Sequence, residues 1–209
     1  MDKLVVAAFD FDVTMTTKDT FVPFLYRAFG KSKVRLIFLK QSFNAVKVVL
    51  GLSDRDHFKK LIVNALFKEH SVDRLEKVGQ MHAVDIYRWL RSSAIERLEW
   101  HRAQGHRLVM VSASLELYLK PIAAKLGFDN LLCTNLTSNG LFFSGEISGN
   151  NCRGPEKVAR LEGLLGDLSN YEIYAYGDSS GDQEMLRIAN HPFFRSFMTE
   201  YEHATILRN

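Results

Sequence analysis

A chain of 209 residues, 46% hydrophobic and 24% charged, has room for one α/β core and a small insertion but not for two large domains, and this composition excludes a disordered or fibrous class. A net charge of +3 is too slight for a nucleic-acid binder that works by neutralising phosphates. Cys133 and Cys152 lie far apart and form no CxxC spacing, so neither a disulfide framework nor a zinc site is expected, and a reducing cytoplasm fits.

The apolar run Leu4 to Phe9 predicts a strand covered on both faces, as in a parallel sheet. Asp10 and Asp12 break that run before it reaches the length of a signal peptide. From about Thr20 to Arg91 the pattern turns helical. Val34, Ile37, Phe38, Ala45, Val48 and Val49 recur at three- and four-residue spacing, and Ser53 suits an N-cap. This stretch reads as an all-helical insertion. Its most apolar part, Val34 to Leu50, carries too many polar residues to cross a bilayer. The basic segment Lys31 to Lys47 suits packing within the insertion, with contact to an anionic membrane surface as the alternative.

An amphipathic helix is expected from about Ser92 to Gln104, stopped by Gly105, then a strand from Arg107 to Val111 that ends in Ser112. Ser114 is expected to cap the next helix, and Pro121 to kink or divide it before Gly127. Phe128 to Thr134 predicts a short strand, and Asn139-Gly140 within alternating residues predicts a β-hairpin. Gly154-Pro155 should open a helix that carries Lys157 to about Leu165. Glu172 to Tyr176 should form a strand delivering Gly177-Asp178.

Strands alternating with helices imply right-handed crossovers and an open, doubly wound parallel α/β sheet, with its chemistry at the carboxyl ends of the strands. That rule gathers Asp10, Ser112 and Asp178 on one rim. Residues 1–16 and 92–209 are assigned to the core and 17–91 to the helical unit.

At the end of the first strand Asp10 and Asp12 can divide the labour of phosphoester cleavage. One carboxylate attacks phosphorus and the other moves the proton. Such a site needs compensating positive charge. The loop Gly177-Asp178-Ser179-Ser180-Gly181-Asp182 offers the hard oxygens that Mg²⁺ prefers, and Lys157 offers an ammonium. The Ser112 hydroxyl and the backbone N–H groups that follow, beginning with Ala113, suit phosphate oxygens. Thr14 can donate to the nucleophile loop. Asn151 and Arg153 can hold a substrate carboxylate or a phosphate oxygen. The histidines form no HxH or HxxxH pair and are expected on the surface or in the core.

Four motifs in order, Asp10-Phe11-Asp12-Val13-Thr14, Val109-Met110-Val111-Ser112, Lys157 and Gly177-Asp178 through Asp182, make the sequence similar to the haloacid dehalogenase superfamily. The branch it resembles is phosphoserine-phosphatase-like, with an all-helical cap. The resemblance covers nearly the whole chain. It implies a Mg²⁺-dependent phosphatase with Asp10 as nucleophile and metal ligand, and Asp12 as acid–base and backbone-carbonyl ligand. Asp178 would be a further metal ligand, with Asp182 supporting the metal water or Lys157. The substrate it implies is a small, phosphoserine-like metabolite.

Asp19 aligns with an acidic position that contacts substrate amino groups in that branch, and it equally suits an N-cap. Val13 departs from the pattern, because the branch usually has Gly or Ser there and Val is β-branched and stiff. Phosphotransfer to an acceptor alcohol, a lipid-phosphate substrate, or a phosphate-ligand binding module with weakened turnover are the alternatives on the same site.

Overall fold

The structure is a computed structural model that describes residues 3–41 and 55–197. Of the expected helical positions, Ala45, Val48, Val49 and Ser53 lie outside these residues, as does the second part of the basic Lys31–Lys47 segment. Strand β1 (Leu4–Phe9) has the predicted bounds. The strand is buried on both faces because alternate side chains enter separate cores. Ala7 and Phe9 join a large cluster with Leu98, Met110, Leu119 and Tyr176. Val6 and Ala8 join a smaller one with Val109, Leu161, Ala175 and Met185. Period-two alternation with both sets apolar produces the continuous run seen in the sequence.

Helices α1 (Phe21–Phe29), α2 (Lys31–Lys40), α3 (Arg55–Phe67) and α4 (Val72–Ile86) follow β1 in the chain. Phe24, Leu25, Ile62, Leu66, Phe67 and Leu75 are fully buried between them. The Ser71 hydroxyl caps α4 by accepting from the Arg74 N–H, the usual remedy for an orphan donor at a helix start. Helix α5 (Ser92–Ala103) runs as expected. None of the helices among the described residues is long and apolar enough to cross a membrane.

Strand β2 (Arg107–Leu115) is longer than expected. It continues past Ser112 because Leu115 still pairs with Thr134, after a register shift between Ser112 and Leu115. This irregularity turns Ser112, Ala113 and Ser114 toward the strand ends. Helix α6 (Glu116–Lys125) therefore starts later than predicted, and Ser114 does not cap it. Nor does Pro121 divide it. The proline supplies no N–H for the Leu117 carbonyl, and α4 packs against that carbonyl at Gly79, where a Cβ would fall 2.1 Å from Leu117 O.

The sheet is completed by β3 (Asn130–Ser138), β4 (Phe143–Ser148), β5 (Tyr171–Gly177) and β6 (His191–Phe194). Its order is β4-β3-β2-β1-β5-β6. All pairings are parallel except β3 with β4, which form the hairpin signalled by Asn139-Gly140. Helix α7 (Pro155–Leu165) and the short α8 (Gln183–Arg187) cover the second face. Because β1 lies between β2 and β5, the chain reverses its direction of winding at β1. The carboxyl ends of these three strands thus flank a crevice, where ligands of doubly wound sheets bind.

Candidate active site

Asp10 follows β1 directly, and its N–H extends the sheet by donating to the Tyr176 carbonyl at 2.9 Å. The residue is 7% exposed. Oδ1 accepts from Lys157 Nζ at 2.6 Å, and Oδ2 lies 2.8 Å from the Thr14 hydroxyl. The same hydroxyl is 3.0 Å from Asp178 Oδ1, so Thr14 joins the ends of β1 and β5. Burial pushes the Asp10 carboxyl up to about 7 although the Lys157 ammonium pulls it down.

Lys157 stands in the first turn of α7 and is 1% exposed. Its ammonium is spent on three acceptors: Asp10, the Val111 carbonyl at 2.7 Å and Asp182 Oδ1 at 2.6 Å. A buried charge of this kind persists only when fully partnered. Burial disfavours the ammonium, but the two carboxylates outweigh it and hold its pKa above the ordinary lysine value.

The loop after β5 is organised around Asp182. Its Oδ2 accepts from the Ser179 N–H at 2.9 Å, the Ser179 hydroxyl at 2.8 Å and the Asp178 N–H at 3.2 Å. Burial would raise the Asp182 pKa, yet Lys157 and these donors bring it below the usual value. Gly177 is required here, since a Cβ would sit 2.5 Å from Asp182 Cβ. Asp178 is half-buried and its carboxyl is pushed up, chiefly by desolvation. Asp10, Asp178 and Asp182 each present an oxygen within 4.8 Å of the others. These are hard donors of the type that suits Mg²⁺.

Asp12 is set apart from that cluster. Its Oδ1 accepts from the Thr20 N–H at 2.7 Å and the Thr20 hydroxyl at 2.6 Å, and its Oδ2 accepts from the Ser114 hydroxyl. Burial, reinforced by nearby Asp19, raises its pKa to about 6. Ser114, expected as a helix cap, is thus a partner of the second carboxylate. Directly after Asp12, Val13 takes φ +61°, a left-handed conformation that a β-branched residue adopts only at a cost. The turn is secured by Thr16, whose hydroxyl accepts from the Val13 N–H at 3.0 Å and lies 2.8 Å from the Lys18 carbonyl. Arg91 Nε donates to the Thr16 carbonyl at 3.0 Å.

The carboxylates open into a cavity of about 570 Å³, bounded on its other side by α1, α2 and α3. Ser112 lines it with its hydroxyl buried, accepting from the Ser114 N–H at 3.1 Å. Ala113 also lines it and gives its carbonyl to the Lys59 ammonium. Asn151 is buried at the same edge. Its Oδ1 accepts from Lys59 at 2.7 Å and Thr134 at 2.8 Å, and its amide donates to Asp56 at 2.6 Å. Arg153 lies across Gly181 and donates to the Ser180 hydroxyl at 3.0 Å. Asp19 is exposed at the cavity rim and accepts from the Val22 N–H at 3.0 Å, the capping geometry that suited it.

Sequence reasoning missed Lys59, Thr20 and Arg91. Lys59 projects from the helical unit into the cavity, where desolvation pushes its ammonium down to about 8 against the pull of Asp12 and Asp56. No local pattern separates it from its exposed neighbour Lys60. Thr20, directly before the first helix, carried a signal that could have found it, because a threonine there has a hydroxyl to spend on a neighbouring loop.

The profile of the haloacid dehalogenase-like hydrolases matches residues 7–187. Protein CicA of Caulobacter vibrioides is 34% identical over 201 residues, covering 92% of this chain and 86% of that protein. A probable phosphatase of Mycobacterium tuberculosis is 26% identical over 192 residues, covering 88% and 66%. Among solved structures, a protein of unknown function from Bordetella pertussis superposes with a TM-score of 0.80 at 21% identity, covering 99% and 96% of the two chains. A substrate-bound phosphoserine phosphatase superposes with a TM-score of 0.62 at 18% identity, covering 90% and 84%.

Proposed function

Since the chain belongs to the haloacid dehalogenase-like hydrolase family, we propose that it hydrolyses the phosphomonoester of a small metabolite through an aspartyl-phosphate on Asp10. The observation that carries this reading is the setting of Asp10 at the cavity floor. One oxygen is fixed by Lys157 and the other faces Thr14 beside Asp178.

In the first step an Asp10 oxygen attacks phosphorus and the bond to the ester oxygen breaks. Asp12 in its acid form gives the departing alkoxide its proton. In the second step the Asp12 carboxylate takes a proton from water as the water oxygen attacks the same phosphorus. Phosphate leaves and Asp10 is restored. A carboxyl with a pKa near 6 suits both halves, because it exchanges a proton readily near neutral pH. The hydroxyls of Thr20 and Ser114 orient it. Lys157 and the Ala113 N–H offset the phosphoryl charge.

The donor set fits Mg²⁺. Both oxygens of Asp182 accept from Lys157 or from the 178–179 segment, whereas Asp10 Oδ2 and Asp178 Oδ1 share one neutral donor, the Thr14 hydroxyl. We therefore assign direct ligation to Asp10 and Asp178, with the Asp12 backbone carbonyl, and a supporting role to Asp182. Bound Mg²⁺ would supply the charge that lets carboxylates and a phosphate dianion share one site. We further assign residues 17–91 as a cap over a core of 1–16 and 92–209, with closure excluding bulk water.

Replacing Asp10 by Asn tests this reading. Turnover of 4-nitrophenyl phosphate with Mg²⁺ should fall about a thousandfold or more. A variant within tenfold of the parent protein would refute the nucleophile.

A further inference from the structure

We propose that the alcohol part of the substrate is apolar, so that the protein acts on an amphiphilic phosphomonoester with a hydrocarbon or aromatic body; this rests on the phosphatase reading above. The apolar lining comes from Phe21, Val22, Phe38, Phe58 and Ile62 on the helices opposite the carboxylates, and from Val13 beside Asp12. Phe38 and Phe58 meet edge to face with centroids 5.8 Å apart, and Val13 is 39% exposed. A volume of about 570 Å³ lies within the ~300–1,000 Å³ that accommodates drug-sized ligands, more than a phosphoryl group and a few polar atoms require.

Of the charged residues of the helical unit that line the cavity, Asp19, Asp56 and Lys59 are engaged with the protein itself, and Arg55 is an exposed side chain. The Lys59 ammonium is held by Asn151 and the Ala113 carbonyl, Asp56 by the Asn151 amide and Asp19 by the Val22 N–H. An amino-acid phosphate reaching Lys59 or Asp56 would compete with these contacts, and it would leave the aromatic wall wet. A hydrocarbon body leaves them intact and covers the wall, where each buried methylene contributes about 0.8 kcal/mol.

The test is the specificity constant across phosphate monoesters of ethanol, butanol, hexanol and octanol, with phosphoserine and 4-nitrophenyl phosphate as references. The expected result is a rise of about fourfold per methylene, the equivalent of that transfer free energy, until the cavity fills, with phosphoserine far below octyl phosphate. The variants Phe58→Gln and Phe21→Gln should each flatten the chain-length dependence, and either one that folds serves.

A flat dependence in the parent protein, or a preference for phosphoserine, would overturn the apolar body while leaving the phosphatase reading intact. Absence of turnover for every ester, 4-nitrophenyl phosphate included, would overturn both. A long-chain acylglycerol phosphate presented in phosphatidylcholine vesicles separates the sources. Its hydrolysis assigns a lipid source, and hydrolysis of the monomeric esters alone assigns a soluble one, each in keeping with the apolar wall.

Discussion

Replacing Lys157 by Met removes the charge at nearly constant length and leaves Asp10 and Asp182 facing each other without an ammonium. The parent side chain is 1% exposed and makes contacts of 2.6, 2.7 and 2.6 Å. Removing one partner from a buried ion pair costs about 3–5 kcal/mol, and that is the loss expected in metal-free protein near pH 8. Acid should relieve it. The Asp10 carboxyl already stands at about 7, and loss of the ammonium moves it higher still, further above the ~3.9 of an unfolded chain.

Between those two values the folded variant holds a proton that the unfolded chain has released, so its stability falls as pH rises through the window. A rise of one unit in that folded pKa makes the cost near pH 5 smaller than near pH 8 by about 1 kcal/mol, because the carboxyl is still half protonated at the higher pH. Urea unfolding in EDTA, followed by circular dichroism at both pH values for parent and variant, measures the difference. A cost below about 1 kcal/mol near pH 8, or one that does not shrink near pH 5, would refute the charge-balance reasoning.

Val13→Gly should raise the melting temperature by about 1–4 °C, since relief of a left-handed β-branched residue outweighs the entropy of glycine; a lower melting temperature would contradict the strain at φ +61°. Asp178→Asn should weaken Mg²⁺ binding by at least the ~10–100-fold seen when outer-shell partners are lost; calorimetric titration giving an unchanged affinity would remove Asp178 from the site. With saturating Mg²⁺, whose charge would keep Asp10 ionised below its metal-free value of about 7, the specificity constant for alkyl phosphates should decline as pH rises past about 6, where Asp12 loses the proton its leaving group needs. An aryl phosphate, whose leaving group needs little protonation, should decline less. Identical pH profiles for the two esters would deny Asp12 the acid role.

The strand ends were the legible part of this chain, because an apolar run that stops at an acid or a serine marks both the strand and what it delivers. Leu4–Phe9 before Asp10 and Tyr171–Gly177 before Asp178 are cases in point. The α/β class, the helical insertion and the Asn139-Gly140 hairpin followed from periodicity and turn chemistry in the same way. The position of Ser112 at the end of its apolar run is readable, but the bulge after it is not, since the shift arises from continued pairing of Leu115 with β3.

Ser114 looked like a cap because its bond to Asp12 spans 102 positions and leaves no local trace. Lys59 was hidden for the same reason: its partners Ala113 and Asn151 meet it only when the helical unit lies against the core. The stiffness of Val13 was readable, whereas its positive φ depends on the contacts of Thr16 and Arg91 around the turn. Strand β6 and helix α8, four and five residues long, are too short for periodicity to declare them.

The proposed reaction requires a covalent bond between Asp10 and phosphorus. Acid-quenching the protein during turnover, reducing with borohydride and sequencing the peptides by mass spectrometry tests it directly, because an acyl phosphate is reduced to the alcohol whereas a free carboxylate is not. Homoserine at position 10, dependent on substrate and absent from Asp10→Asn, is the predicted result. Active turnover with Asp10 unreduced would contradict it.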